Sequence, residues 1–270
     1  MLYSDDFIFL HLQKTGGNHV AKLLSRHYQL TKHGKHNGIA DGFERPHVLF
    51  GIRNPWDWYV SLWAYGCQNE GSIWSYLTSE RSASIKEIIG RHGARPSTWG
   101  LAAAHLAAIP GKSADVWREF YQDAEDPIAF RAWLAHLHSR PGSRQTGEDF
   151  SALPVADSCG LMTARYLEVG SRASDWTQHR AEIRSVDDAA AYRAKYLAAN
   201  HFVRTESLEA DVAEALAAMG ISETAESLRI SRTNSSSHKP ADYYYDDASI
   251  ALVSQLDRAV IEAHGYTFPR

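Results

Sequence analysis

The residues best placed for chemistry lie in two short clusters, and each cluster follows an apolar run. The first cluster, HLQKTGGNH at residues 11–19, continues the run FIFLHL at residues 7–12. Lys14 brings a positive charge, and the glycines after it let the backbone approach a ligand closely. A helical pattern starts at Asn18, and a helix N-terminus attracts anions, so we predict a phosphate site here. Its candidate ligands are Lys14, Thr15, Gly16, Gly17, Asn18 and His19.

The order of these residues distinguishes the cluster from the loop that binds nucleoside triphosphates. In that loop the glycines precede the lysine, and a hydroxyl after the lysine holds magnesium. Here FIFLHLQ precedes Lys14 and contains no glycine. The triphosphate interpretation therefore does not fit the spacing.

The second cluster is RNPWDWYVS at residues 53–61, after the apolar run HVLFGIR. Asn54 can cap a helix whose first position is Pro55, and Ser61 then lies about two turns into that helix. Ser61 avoids the predicted buried stripe, so we expect it to face a ligand beside Arg53. An arginine fork with a nearby hydroxyl suits a phosphate monoester. The stripe consists of Trp56, Tyr59, Val60 and Trp63.

Two strand–loop–helix units must position these clusters. We predict strands at residues 7–12 and 47–53, each followed by a helix, which indicates an α/β protein with a parallel sheet and ligands at the carboxyl ends of its strands. Residues 72–200 read as mainly helical. A late strand at residues 201–204 precedes another helix, and the chain ends in one helix at about residues 247–264. Without repeats or a linker, we expect residues 1–270 to form a single domain.

Composition narrows the function. The 270 residues carry a formal net charge of -4, so we expect no nucleic-acid partner, and an anion site needs a local concentration of positive groups. Cys67 and Cys159 cannot form a disulfide framework and fit a reducing compartment. We predict no signal peptide, and no apolar stretch reaches the ~20 residues that span a bilayer. The sequence thus predicts a soluble, cytoplasmic protein.

The two clusters together resemble a known enzyme family. HLQKTGGNH resembles the 5′-phosphosulfate loop of sulfotransferases, and RNPWDWYVS resembles their 3′-phosphate motif. The form with KTGG and RNP is similar to the Golgi carbohydrate sulfotransferases and their bacterial relatives. HFVRTESLEADVAEAL and the tyrosine-rich segment that ends in GYTF are also similar to late parts of this family. The resemblance covers residues 7–66 and 200–268, the nucleotide-binding core that it implies.

The resemblance implies a P-loop-like three-layer fold with a central parallel sheet and a helical acceptor side at about residues 72–200. It implies a donor, 3′-phosphoadenosine 5′-phosphosulfate (PAPS), and in-line sulfo transfer without a metal to a hydroxyl or amine of a glycan, lipid or small molecule. This sequence departs from the family at two positions. Asn18 replaces a serine or threonine and keeps a donor, whereas Trp58 replaces a common arginine and removes one charge.

Catalytic roles follow from the same resemblance. Lys14 would neutralise the bridging oxygen as the sulfur–oxygen bond breaks, and a base between the two clusters would take the acceptor's proton. The KH pair in KHNGIA favours His36, whose ordinary pKa suits that work. Lys239, or a serine of the loop NSSSHKP, would lie near the 3′-phosphate. The candidates for the base are His33, His36, Asp41, Glu44 and His47.

Two other functions stay open on the sequence. A small-molecule kinase would use ATP with magnesium and ignore a 3′-phosphate. A catalytically silent nucleotide-binding protein would keep Lys14 and Arg53 but lack a working base. The acceptor, the oligomeric state and any action at a membrane surface are not encoded in a recognisable motif.

Overall fold

The structure is a computed structural model that describes residues 1–79, 113–146, 149–230 and 238–269. The strands are β1 (Leu2–Tyr3), β2 (Phe7–His11), β3 (Thr31–Lys32), β4 (His47–Ile52) and β5 (His201–Arg204). The described helices are α1 (Gly17–Leu24), α2 (Pro55–Cys67), α3 (Ser72–Thr78), α4 (Ala114–Glu119), α5 (Pro127–Leu137), α6 (Arg140–Ser143), α7 (Asp149–Ala152), α8 (Leu161–Gly170), α9 (Ala173–His179), α10 (Val186–Tyr196), α11 (Leu208–Ala218), α12 (Ala225–Leu228), α13 (Ala241–Tyr244), α14 (Asp247–Leu256) and α15 (Arg258–His264).

The five described strands form one mixed sheet in the order β3-β1-β2-β4-β5. β2, β4 and β5 are parallel, as predicted, but β1 pairs antiparallel with both β2 and β3. The sheet is therefore mixed, and the predicted parallel arrangement is confirmed only for β2, β4 and β5. β1 and β3 have two residues each, which is too short for any periodicity to reveal them.

Helices cover both faces of the sheet because alternate side chains of each strand point to opposite faces. On β2, Ile8 and Leu10 belong to one buried cluster, and Phe7 and Phe9 belong to the other. The first cluster includes residues of α2, α5 and α8, and the second includes residues of α1, α11 and α12. The strand carries apolar side chains at every position because both of its faces are buried.

Helix α2 begins as the sequence predicts. The Asn54 side chain accepts a hydrogen bond from the Trp56 backbone N–H at 3.2 Å, and Pro55 occupies the first turn. The predicted stripe is buried, but Trp58 and Ser61 are buried too, at 0% and 1% exposure. Since the helix is buried on nearly all sides, the expectation of an open face at Ser61 was wrong. A role for its hydroxyl in ligand binding stays a prediction.

The late elements also follow the sequence, with one exception. β5 and α11 lie where they were predicted, and the described residues between 113 and 200 are mainly helical; residues 80–112 lie outside the described ranges. The expected single helix at 247–264 is divided into α14 and α15 at Asp257. Asp257 is fully buried and turns its carboxylate into the core instead of capping α15.

Within the described ranges, no helix combines the length and the apolar character that crossing a membrane requires. Cys67 and Cys159 are both free thiols. Burial raises the pKa of each thiol to about 12, so both are protonated at neutral pH.

Candidate functional site

The two sequence clusters meet at one edge of the sheet. β2 and β4 are parallel neighbours, with His11 opposite Gly51, so the segments that follow both strands emerge side by side. The Arg53 guanidinium donates to the Lys14 carbonyl oxygen through Nη1 at 3.2 Å. The indole of Trp58 donates to the Gln13 carbonyl oxygen at 2.7 Å, so this tryptophan ties the two clusters together.

The loop before α1 is held in shape by its own backbone. Lys14 and Gly16 both have positive φ angles, 63° and 72°, and Gly16 is the N-cap of α1 without a side-chain cap. The hydroxyl of Thr15 is buried and donates to the Leu12 carbonyl oxygen at 2.8 Å. Thr15 therefore stabilises the loop from within, and anion binding by the backbone N–H groups at the start of α1 stays a prediction.

Gly17 is required by a close approach between α1 and β2. A Cβ atom at this position would lie 2.3 Å from Cδ2 of His11. The His11 ring is confined, since it stacks on Phe9 and meets the ring of His36 edge-on. We therefore expect Gly17→Ala to lower the free energy of unfolding by about 2 kcal/mol, as overpacked cores do. Urea denaturation measures this effect.

A double-variant cycle provides the control for Gly17→Ala. Adding His11→Ala removes the ring that the new methyl group meets, so the double variant should lose clearly less stability than the sum of the two single variants. Strictly additive losses would contradict the proposed clash.

The Lys14 side chain reaches from the first cluster to helix α2. Its Nζ atom is 3.9 Å from the centre of the Tyr65 ring, a cation–π contact with the helix that follows Arg53. Burial, together with repulsion from Arg53, lowers the pKa of Lys14 to about 8, and attraction to Glu70 opposes this shift. The ammonium group is thus charged at neutral pH and loses its charge within a range that solution experiments reach.

Two acidic residues, Glu206 and Asp57, and one histidine, His238, surround Arg53. The Glu206 carboxylate accepts a hydrogen bond from the Asn54 backbone N–H at 2.8 Å. Burial raises the pKa values of Glu206 and Asp57, and attraction to Arg53 opposes the rise in both. Burial lowers the pKa of His238, with Arg53 and Lys14 contributing. The site therefore joins two cations with groups whose protonation can change when an anion binds.

The structure brings His36 to the carboxyl end of β2. Its Nδ1–H donates to the His11 carbonyl oxygen at 3.0 Å, which leaves Nε2 with the lone pair that a general base needs. Burial lowers the pKa of His36 to about 4; the hydrogen bond to His11 opposes this, and Lys35 and Arg165 add to it. The ring is therefore neutral at pH 7 and less basic than an exposed histidine.

The other four candidates for the base either contact other side chains or are exposed to solvent. Glu44 is 3.4 Å from Arg172, and His47 hydrogen-bonds a histidine at the start of β5, at the opposite edge of the sheet. His33 and Asp41 are exposed. Geometry thus favours His36 among the five, and its role stays a prediction.

Three further predicted ligands occupy different settings. Asn18 is exposed on the first turn of α1. His19 is buried and its Nε2 lies 3.0 Å from Glu209, so its side chain joins α1 to α11. Lys239 Nζ lies 3.3 Å from a carboxylate oxygen of Glu125. The serines of the same loop lie outside the described residues.

Several residues of the site were missed by sequence reasoning. His238 precedes Lys239 in the loop NSSSHKP, and its pKa is lowered by the charges of Arg53 and Lys14. Tyr65 lies one helical turn after Ser61, a spacing that could have identified it. Arg165 is 2% exposed and donates to the Gln13 side chain at 2.7 Å, but no motif surrounds it in the sequence.

Among the residues that the structure describes, no group of three or more His, Cys, Asp or Glu side chains is arranged to hold a metal ion. The chemistry that the arrangement offers is charge stabilisation by Lys14 and Arg53, with proton transfer at His36. Comparison of the chain with protein-family models, with curated proteins and with solved structures finds no match.

Proposed function

We propose that this chain is a sulfotransferase that moves the sulfo group of PAPS to an acceptor hydroxyl or amine. The observation that carries the proposal is the contact between Arg53 and Lys14, because it joins both family-like clusters into one positively charged site. A P-loop-like three-layer fold, a cytoplasmic location and a glycan, lipid or small-molecule acceptor belong to the same proposal.

Each group has a defined task in the transfer. The N-terminus of α1 and Lys14 hold the 5′-phosphosulfate, and Arg53 holds the 3′-phosphate. The acceptor oxygen bonds to sulfur while the bond from sulfur to the bridging oxygen breaks. His36 Nε2 takes the acceptor proton, and Lys14 neutralises the charge that grows on the leaving phosphate. Adenosine 3′,5′-bisphosphate leaves.

A phosphate fits beside Arg53 only if a neighbouring carboxylate takes up a proton. Burial raises the pKa of Glu206, and attraction to Arg53 opposes the rise. An arriving phosphate favours the protonated carboxyl further, since like charges repel. The proposal therefore implies that adenosine 3′,5′-bisphosphate binds with proton uptake.

Glu206→Gln tests this charge balance. The glutamine keeps an oxygen acceptor for the Asn54 N–H but removes the negative charge, so we expect adenosine 3′,5′-bisphosphate to bind about fivefold tighter near neutral pH. Calorimetric titration measures the change, with the exposed Glu214→Gln on α11 as the matched control. Unchanged or weaker binding in Glu206→Gln would place the phosphate away from Arg53.

The test of the function itself is a calorimetric titration with adenosine 3′,5′-bisphosphate, with AMP and ATP–magnesium in parallel. We expect tight binding that requires the 3′-phosphate and weakens about 100-fold in Arg53→Ala, as expected for loss of a bidentate charged contact. Arg229→Ala, at an exposed ion pair on α12, is the control. Equal or stronger binding of ATP–magnesium would replace the proposal with the kinase alternative.

A further inference from the structure

A polar cavity lies at the edge of the sheet opposite the Lys14–Arg53 site. It has a volume of about 300 Å³, and its floor includes Ile8 and Val48, the second residues of β2 and β4. Asn200, which directly precedes β5, closes one side. The cavity therefore opens at the amino ends of the parallel strands, whereas Lys14 and Arg53 lie at their carboxyl ends.

The lining combines an apolar floor with a positively charged mouth. Partly exposed apolar side chains, Phe43 and Leu197 among them, line the cavity together with Arg45, Arg172 and Lys195. Ligand pockets commonly have this composition, with an apolar body and a few polar groups that fix the orientation of the ligand.

Backbone pairing fixes the walls. Ile39 and Arg172 are joined by a parallel bridge between two loops. The Asn200 side chain accepts from the Val48 N–H at 2.7 Å and donates to the Pro46 carbonyl oxygen at 2.8 Å. The cavity is therefore formed before any ligand arrives, which lowers the entropic cost of binding.

The two arginines are held by neutral backbone oxygens. Arg45 donates through Nε to the Ser4 carbonyl oxygen and through Nη1 to the Glu44 carbonyl oxygen, both at 2.8 Å. Arg172 donates to the neighbouring Phe43 carbonyl oxygen at 3.4 Å. Both guanidinium groups thus donate to carbonyl oxygens of residues 43–44. Because these oxygens are neutral, the contacts do not cancel the positive charges.

Acidic neighbours offset only part of this charge. Glu44 lies 3.4 Å from Arg172 and Asp5 lies 4.0 Å from Arg45, but both carboxylates are exposed and such pairs are weak in water. Asp175 is the carboxylate in the lining itself. With three cations facing one carboxylate, the mouth of the cavity favours an anion.

We propose that this cavity binds a small organic anion in which one carboxylate or phosphate group is attached to an apolar body. The planar guanidinium forks match the oxygen atoms of either group, and the apolar body covers Phe43 and Leu197. Such a ligand binds independently of PAPS chemistry at the opposite edge. The inference therefore does not depend on the proposed function.

The experiment titrates the full chain with phenyl phosphate and, separately, with benzoate, followed by calorimetry. A parallel titration with inorganic phosphate, which has no apolar body, measures the binding that charge alone provides. We expect saturable binding of at least one aromatic anion, tighter than that of inorganic phosphate, and weakened about tenfold or more in Arg172→Gln. Arg258→Gln, at an exposed ion pair with Asp187, should bind as the wild type does.

Two further variants keep the test decisive. Lys195→Gln changes an exposed cation of the mouth and is expected to fold normally, and Ala198→Leu narrows the cavity without changing its charge; both should weaken binding. Binding that survives Arg172→Gln but disappears in Arg53→Ala would place the anion at the loop before α1 and overturn the proposal. Absence of saturable binding for both aromatic anions would overturn it as well.

Discussion

Replacing Lys14 by methionine is expected to lower kcat for the proposed sulfo transfer about 100- to 1,000-fold, the usual effect of removing one group that stabilises charge in a transition state. Methionine keeps much of the length of the side chain but removes the ammonium group and with it the cation–π contact with Tyr65. Binding of adenosine 3′,5′-bisphosphate should weaken much less, because Arg53 and the start of α1 remain. Turnover is measured with an acceptor found by screening glycan, lipid and small-molecule hydroxyls.

The pH profile distinguishes an electrostatic role for Lys14 from a structural one. The pKa of Lys14 is lowered to about 8, so its charge is present below that pH and is lost above it. In the wild type, kcat/KM for the donor should therefore fall as pH rises through about 8, since this quantity reports the free enzyme. The fall in kcat should come at higher pH, because the bound donor favours the charged amine. Lys14→Met should lack the step in kcat/KM.

Lys22→Met is the matched control, since Lys22 is an exposed lysine on the last turn of α1. It should leave kcat and the pH profile unchanged. If Lys14→Met and Lys22→Met have the same small effect, Lys14 does not stabilise the leaving group, and the sulfotransferase proposal loses its main catalytic residue.

How far the sequence predicts the fold depends on the range of the interactions. Asn54 and Pro55 mark the start of α2 through local backbone chemistry, and the apolar run of β4 marks a strand buried on both faces, so both were predicted correctly. β1 pairs across a short turn with β2, and β3 pairs with β1, which lies far from it in sequence. Strands of two residues, Leu2–Tyr3 and Thr31–Lys32, are too short to carry a local pattern.

The same distinction holds for the candidate site. Lys14 and Arg53 were identified because each belongs to a local motif, and the parallel pairing of β2 with β4 then brings them into contact. Arg165 reaches Gln13 from a helix about 150 residues away, and only the tertiary structure joins them. Ser61 was expected on an open face because periodicity assumes one buried side, whereas α2 is covered nearly all round.

Asp257→Ala is expected to lower the free energy of unfolding by about 3–5 kcal/mol. Asp257 is fully buried, and its carboxylate accepts hydrogen bonds from the Thr163 N–H at 2.8 Å, the Thr163 hydroxyl at 2.7 Å and the Tyr59 hydroxyl at 2.8 Å. Alanine leaves all three buried donors without this acceptor. The melting temperature should fall by roughly 10 °C for a chain of this size.

Asp187→Ala provides the control, since Asp187 is an exposed aspartate in an ion pair with Arg258. We expect it to change the free energy of unfolding by less than about 1 kcal/mol. An equal loss in both variants would mean that the three hydrogen bonds to Asp257 contribute little.

The pH dependence of stability identifies the buried carboxylate directly. Burial raises the pKa of Asp257 to about 6, against the opposing effect of the hydrogen bonds from Thr163 and Tyr59. Between about pH 4 and 6 the folded state then binds more protons than the unfolded state, so this group's contribution to stability falls as pH rises through that range. Asp257→Asn should remove this slope, because the amide does not titrate while its oxygen still accepts from Thr163. A slope that persists unchanged in Asp257→Asn would assign it to another group and leave the break between α14 and α15 to be explained by packing alone.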